Sequence, residues 1–211
     1  MVMAPVTPGK SLVAAIASRI LTGSGEPAAA REVQAAIARL FTYAAWADKF
    51  DGAVHQVPIR GVTLAMPEPI GVIGIAAPDA CPLLGFVSLV APAVAVGNTV
   101  VAIPSPRHPL SATDFYGVLE TSDLPDGVIN IVTGDREALA RVLAEHLDVD
   151  AVWYWGTAAG VKAVEEASAG NLKRTWASER GRDWLDPASG EGREFLRHAT
   201  QVKNIWIPYG E

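Results

Sequence analysis

The sequence predicts an α/β fold: a doubly wound parallel sheet with N-terminal helices before it and a terminal strand after it. Three observations lead there. Short, continuously apolar runs alternate with helix-period segments between residues 70 and 177. Those runs lack the polar alternation of a half-wet sheet, as expected when both faces are covered. Strand–helix–strand steps in series build parallel sheets through right-handed crossovers.

The elements follow in order. Residues 10–22 (KSLVAAIASRILT) carry apolar side chains at helical spacing, and Gly23 to Pro27 break the pattern. A second helix is predicted over 28–50, with Val33, Ile37, Leu40, Phe41, Ala44 and Ala45 on one side, and Asp51-Gly52 turns the chain. Residues 54–66 alternate loosely. Pro58 marks an edge strand or bulge there, and Pro67-Glu68-Pro69 stops the run. Such a two-stranded ribbon needs something to lie against. Strands are predicted at 70–76, 99–103, 128–132, 151–155 and 173–177, with helices at 82–95, 109–121, 135–146 and 158–169. After Trp184 the alternation stops. Asp183 to Arg193 is rich in turn formers, a short helix follows near 194–198, and Gln201 to Tyr209 forms a last strand that reads as an arm.

Composition narrows the function classes. Half of the 211 residues are hydrophobic and 19% are charged, which suits a globular core. The net charge of -6 with scattered Lys and Arg argues against nucleic acid. The longest apolar run, Pro82 to Val96, is too short to span a bilayer and contains Pro92, so it predicts a buried helix and no membrane partner. Cys81 is the one cysteine, so no internal disulfide forms. That points to a reducing compartment. The N-terminus lacks a basic, then apolar, signal pattern. The expected location is cytoplasmic.

Four segments carry a resemblance. Tyr43–Gly52 (YAAWADKFDG), Glu68–Gly74 (EPIGVIG), Leu89–Val101 (LVAPAVAVGNTVV) and Leu124–Gly134 (LPDGVINIVTG) stand in order along the chain. Together they resemble the cofactor-binding half of the aldehyde dehydrogenases, collinearly over most of residues 40–182. The resemblance implies a Rossmann-like sheet, with a β-hairpin and C-terminal strand as an oligomerisation arm. The division it suggests is 1–52 helices, 53–68 oligomerisation hairpin, 69–182 cofactor-type domain, and 183–211 linker and oligomerisation strand.

The family's chemistry implies four requirements, and this sequence departs from each. The amide donor of Pro-Trp-Asn-Phe-Pro, which steadies a tetrahedral oxyanion, falls in Pro78–Pro82 (PDACP), with Ala80 at the Asn position. The adjacent Asp79 would repel an oxyanion. The ribose grip Lys-Pro-Ala/Ser-Glu falls on Ile103–Pro106 (IPSP), so Ile103 and Pro106 replace both polar partners. Two such losses cost a few kcal/mol, roughly, of binding. Arg107 next to them reads either as a phosphate contact or as an exposed loop residue. The Phe-Thr-Gly-Ser-Thr turn appears as Tyr154–Ala158 (YWGTA), where Gly156 and Thr157 read either as an anion-receiving helix start or as an ordinary N-cap. The carboxylate base of Glu-Leu-Gly-Gly-Lys falls on Ser178–Arg182 (SERGR), with Ser178 at the glutamate position. Glu179, one residue on, would face the other way on a continuing strand.

In the family a catalytic domain carrying the nucleophilic cysteine follows this segment. Here the chain passes by a short linker to 201–209, which resembles the family's oligomerisation strand. Cys81 stands at a Phe position beside Pro82 and reads as a core residue. His55, His108, His146 and His198 show no metal-ligand spacing, His146 suits a helix end, and Glu165-Glu166 read as a solvated face. The expectation is a degenerate, non-catalytic module, similar to the second repeat of two-repeat aldehyde dehydrogenases. It would assemble with itself or with a complete aldehyde dehydrogenase through 54–67 and 201–209. The alternatives are an NAD- or NADP-type sensor without turnover, and an oxidoreductase active only with residues lent by a partner.

Overall fold

The computed structural model describes residues 26–58 and 60–209; the helix expected over 10–22 lies outside them. The core is a five-stranded parallel sheet of β3 (Val72–Ala76), β4 (Thr99–Ile103), β5 (Ile129–Ile131), β6 (Ala151–Trp155) and β7 (Arg174–Ser178), in the order β5-β4-β3-β6-β7. β6 is buried at all five positions, as its unbroken apolar sequence requires. On one face lie α1 (Glu26–Trp46), α2 (Pro82–Ala95) and α3 (Leu110–Leu119). On the other lie α4 (Arg136–Glu145) and α5 (Ala158–Ser168). The doubly wound α/β prediction is what the structure shows. The strand order reverses between β3 and β6, the crevice position where such sheets take ligands.

α1 ends at Trp46, short of the predicted residue 50, where Lys49 Nζ donates to the Ala45 carbonyl at 3.0 Å. Its buried face carries Ala29, Val33, Ala36 and Tyr43, and also two charges, Glu32 and Arg39. Each charge has a structural partner. Glu32 Oε1 accepts the Leu83 and Leu84 N–H groups at 2.8 and 3.1 Å, serving the start of α2. Cys81, the N-cap there, has φ 49° and offers no side-chain cap. Arg39 Nη1 donates to Ser88 Oγ on α2 at 2.5 Å and to the Gly190 carbonyl. Its Nη2 reaches the Trp184 carbonyl at 3.1 Å, and its Nε pairs with Glu191 at 2.7 Å.

The stretch read as a linker is largely packed. It contains an unpredicted turn of helix, α6 (Pro187–Gly190), then α7 (Arg193–His198). Trp184, Phe195 and Leu196 are buried. They cover Trp153, Trp155 and Trp176, which share one face of β6 and β7; Trp153 and Trp176 are register partners, 5.0 Å apart edge-on. Trp155 meets Trp184 at 5.8 Å, Trp176 meets Phe195 at 5.2 Å, and His198 stacks on Trp176 at 3.9 Å. Helical spacing inside a turn-rich segment gave no sign of this cover.

A second sheet forms the arm, in the order β1-β2-β8: β1 (Ala53–His55), β2 (Gly61–Pro69) and β8 (Thr200–Pro208). Pro58 lies in the loop after β1 rather than in a strand. Pro67 and Pro69 do not end β2, which pairs with β8 without interruption from Gly61 to Pro69. The Tyr209 N–H donates to the Arg60 carbonyl at 3.3 Å, which fixes the alternation. Odd-numbered residues of β2 therefore turn their amides away from β8, and the prolines sit beyond the end of β1, where no donor is needed. Buried Asn98 ties the arm to the core. Its Oδ1 accepts from the Ile70 and Gly71 N–H groups at 2.7 and 3.0 Å, and its Nδ2 donates to the Ala93 and Ala199 carbonyls at 2.8 and 2.9 Å. Among the described residues no helix is long and apolar enough to cross a membrane.

Two outcomes are expected from this packing. Trp184→Ala lowers stability by about 3–5 kcal/mol in urea unfolding, since a filled site is emptied between two layers. Burial pushes the Glu32 carboxyl up, against the opposing pull of the Leu84 and Leu83 amides and nearby His108. A raised folded value means the group's stabilisation is complete below the ordinary glutamate value and is lost as pH rises through the folded one. Glu32→Gln keeps an acceptor for both amides without that dependence, so unfolding curves should show it gaining on the parent protein as pH rises.

Candidate functional site

At the strand reversal the C-terminal ends of β3, β6 and β7 leave a crevice of about 240 Å³. That is smaller than the roughly 300–1,000 Å³ common for small-molecule sites. Ala80, Gly156, Thr157 and Ser178 all line it, with Asp79, Trp155, Arg136, Glu179 to Arg182 and Trp184. Ile103 and Pro106 do not. The Ile103 side chain is buried against α4 and α5 with Ala140 and Val164, while Pro106 is exposed beyond β4. Neither offers a sugar hydroxyl a hydrogen bond.

Each position has a local cause. Thr157 is the N-cap of α5, and its Oγ1 accepts the Gly160 N–H at 3.0 Å. The capping reading is thus what the geometry contains. Ser178 closes β7, and its Oγ accepts the Arg180 N–H at 3.1 Å. Because the strand stops there, the expected alternation does not carry Glu179 to the opposite face. Glu179 is among the residues that line the crevice. Ala80 is exposed at the crevice and brings no donor.

Cys81 is half-buried against the main core, in the left-handed backbone region. Burial pushes its thiol up to about 11, and the Glu32 and Asp183 carboxylates add to the rise. A thiol held protonated is a poor nucleophile. His146 is the C-cap of α4, and its Nδ1 accepts the Asp148 N–H at 3.1 Å. Among the described residues no group of His, Cys, Asp and Glu could hold a metal ion.

The sequence did not reveal the polar links that stand at and around this crevice. Asp135 caps α4 by accepting the Ala138 N–H at 2.8 Å, and so sets Arg136 and Glu137 on the helix's first turn. Arg136 reaches across to β3. Its Nη2 pairs with Asp79 Oδ2 at 3.2 Å and its Nη1 donates to the Ala77 carbonyl at 3.2 Å. Ser105 Oγ donates to the other Asp79 oxygen at 2.6 Å. Asp79 is thereby held between β4 and α4 across the end of the central strand.

A second link lies at the start of α5. Tyr154 donates its hydroxyl proton to the Glu137 carboxylate at 2.7 Å, and the same oxygen accepts the Thr157 N–H at 3.1 Å. Burial holds the Tyr154 hydroxyl above its ordinary pKa. An added Cβ at Gly156 or Gly160 would collide with that hydroxyl. A helix N-terminus attracts an anion, and here a carboxylate of the chain stands beside it. The signal was present in the sequence: Tyr154 stands at the phenylalanine of the resembled turn, and a charged pair follows Gly134-Asp135.

Comparison with known proteins agrees with this architecture. The sequence profile of the aldehyde dehydrogenase family matches residues 11–183. The chain is 36% identical over 141 residues to the NADP/NAD-dependent aldehyde dehydrogenase PuuC of Escherichia coli (strain K12), covering 66% of this chain and 28% of that protein. It is 37% identical over 144 residues to retinal dehydrogenase 2 of Gallus gallus, covering 68% of this chain and 28% of the relative. The chain thus spans under a third of the length of these relatives. Among solved structures it resembles lactaldehyde dehydrogenase from Escherichia coli, with a TM-score of 0.77 and 25% identity over 82% of this chain and 37% of that one. Betaine aldehyde dehydrogenase from Staphylococcus aureus, solved with NAD+, gives 0.75 and 26% over 80% and 35%. Profile, relatives and sheet agree: the chain belongs to the aldehyde dehydrogenase family.

Proposed function

We propose that this chain is a non-catalytic, aldehyde-dehydrogenase-like interaction module, a pseudoenzyme whose arm assembles it with itself or with a complete aldehyde dehydrogenase. The observation that carries this reading is the pair of internal polar links at and beside the crevice. Asp79 and Arg136 close its β3 side, and Glu137 with Tyr154 stands at the helix start where a dinucleotide's anion would approach. A bound pyrophosphate there meets a carboxylate, and repulsion in a half-desolvated site is costly.

Further support comes from the chemistry left at the matching positions. Ala80 supplies no oxyanion donor and Ser178 no carboxylate. The Cys81 thiol is held protonated. Residues 179–199 alone separate β7 from β8, and they seal the tryptophan face rather than form a further domain. Assembly through 54–67 and 201–209 accords with an arm that stands away from the core with most of β8 exposed. No role with nucleic acid or membrane is proposed.

A second reading, an NAD- or NADP-type sensor without turnover, draws on Gly156 and Thr157 in the crevice wall. It requires the Glu137–Tyr154 link to open. An oxidoreductase active only with a partner's residues requires more, since Ala80 leaves the oxyanion unserved.

Calorimetric titration of the purified chain with NAD and NADH is expected to give no saturable heat up to about millimolar cofactor, a binding energy weaker than about 4 kcal/mol. Micromolar binding would overturn the reading that these internal links exclude a dinucleotide and would favour the sensor. Glu137→Gln combined with Tyr154→Phe removes the internal carboxylate and its hydroxyl anchor. If the crevice is blocked by them, the double variant should bind phosphate-bearing nucleotides at least about tenfold better, a shift of about 1.4 kcal/mol.

A further inference from the structure

We propose that the outer edge of β7 is a docking site for an acidic peptide in extended conformation, which would add to the parallel sheet as a further strand. This edge belongs to the core sheet and not to the arm, and it would act whether or not the arm assembles.

β7 ends the strand order β5-β4-β3-β6-β7, so one side of it has no neighbouring strand. The Arg174 N–H donates to the Asp150 carbonyl at 3.2 Å, and the Ser178 carbonyl accepts the Gly156 N–H at 3.3 Å. Even-numbered residues of β7 therefore bond to β6, and Thr175 and Ala177 turn both N–H and C=O to the open side. Among the described residues neither of those backbones finds a hydrogen-bond partner. Thr175 is exposed. A strand laid along this side would gain about four backbone bonds, the mode in which extended peptides join a sheet edge. The opposite edge offers less, since β5 spans only three residues.

Charge selects the occupant. Edge strands are ordinarily guarded by charged side chains, and here the guard has mainly one sign. Over residues 173–182 the cations Lys173, Arg174, Arg180 and Arg182 stand against the one carboxylate of Glu179, in a chain whose net charge is -6. Arg182 is paired with Glu194 at 3.0 Å. The other three have no carboxylate within ion-pair distance among the described residues. Lys173 Nζ donates to the Leu143 and His146 carbonyls at 2.9 and 2.6 Å, and Arg174 Nη1 to the Thr200 carbonyl at 2.7 Å. Those bonds hold the two side chains in place without cancelling their charge. The field is felt at His198, stacked on Trp176: burial holds its pKa below the ordinary value, and Arg174 and Arg182 press the same way against Glu194. A basic strand is repelled by this edge, a neutral one gains backbone bonds alone, and a second copy brings the same excess of cations. A strand carrying carboxylates gains both terms.

The test uses the full chain and three labelled peptides of about ten residues, alternating Val with Glu, Gln or Lys. Fluorescence anisotropy should show saturable binding of the Val-Glu peptide below about millimolar, at least about tenfold tighter than the Val-Gln peptide, and none of the Val-Lys peptide. Added salt should weaken it. Amide exchange followed by NMR should slow at Thr175 and Ala177 when the Val-Glu peptide is bound. Thr175→Pro removes an outward N–H and none that bonds β6, so it should lower the affinity at least about tenfold while circular dichroism and thermal unfolding confirm the fold. Arg180→Glu, which leaves the backbone of β7 untouched, should lower it by a similar factor. No saturable binding of the Val-Glu peptide overturns the proposal, and so does equal binding of the Val-Gln peptide. Binding that survives both substitutions places the peptide elsewhere and overturns it as well. A dimer of the chain that Thr175→Pro dissociates would make a second copy the occupant and refute the acidic peptide.

Discussion

A buried arginine holds this molecule together. Arg39 is nearly inaccessible, and it spends its guanidinium on Ser88 of α2, two carbonyls of the returning segment, and Glu191. A buried cation is tolerated only when its charge is answered. Here the partners come from places far apart in the chain, so the ion gains them only when α1, α2 and residues 184–191 are all in place. That requirement brings the chain back across the open face of β6 and β7. Trp184 and Phe195 then cover the three tryptophans that the strands present.

The same return delivers β8. Ala199 hands its carbonyl to Asn98, whose other side-chain atoms hold the entry to β3 and the end of α2. Both sheets are thus fixed at one buried amide. Gly71, with φ 130°, makes the bend between them, and Asp150 closes against it by accepting the Val72 N–H at 2.8 Å. These few polar contacts tie the arm to the core.

The crevice follows a comparable rule. Parallel strands direct their C-terminal ends, and the helix starts beyond them, toward one edge, which creates a demand for charge there. In this chain the demand is met internally. Asp79 is shared between Arg136 and Ser105, and the start of α5 has Glu137 held beside it by Tyr154.

The sequence by itself determined the parallel sheet, its five strands to within a residue or two, the helices between them and the terminal strand. These are set by local periodicity, which a strand or helix of any partner must obey. It also determined what two positions of the crevice carry, because a missing side chain needs no geometry: Ala80 and Ser178 bring neither amide nor carboxylate, whereas that Glu179 lines the same wall was decided by the end of β7. What only the tertiary structure decided are contacts between distant residues. Periodicity cannot say that Glu32 serves α2, that Arg136 reaches Asp79, or that Tyr154 sets Glu137 beside a helix start. Nor can it tell that prolines 67 and 69 lie within a strand, which depends on the side of the ribbon left without a neighbour. Each of these turns on direction, the way an amide or side chain points once two segments meet, and direction is set by packing rather than by sequence spacing.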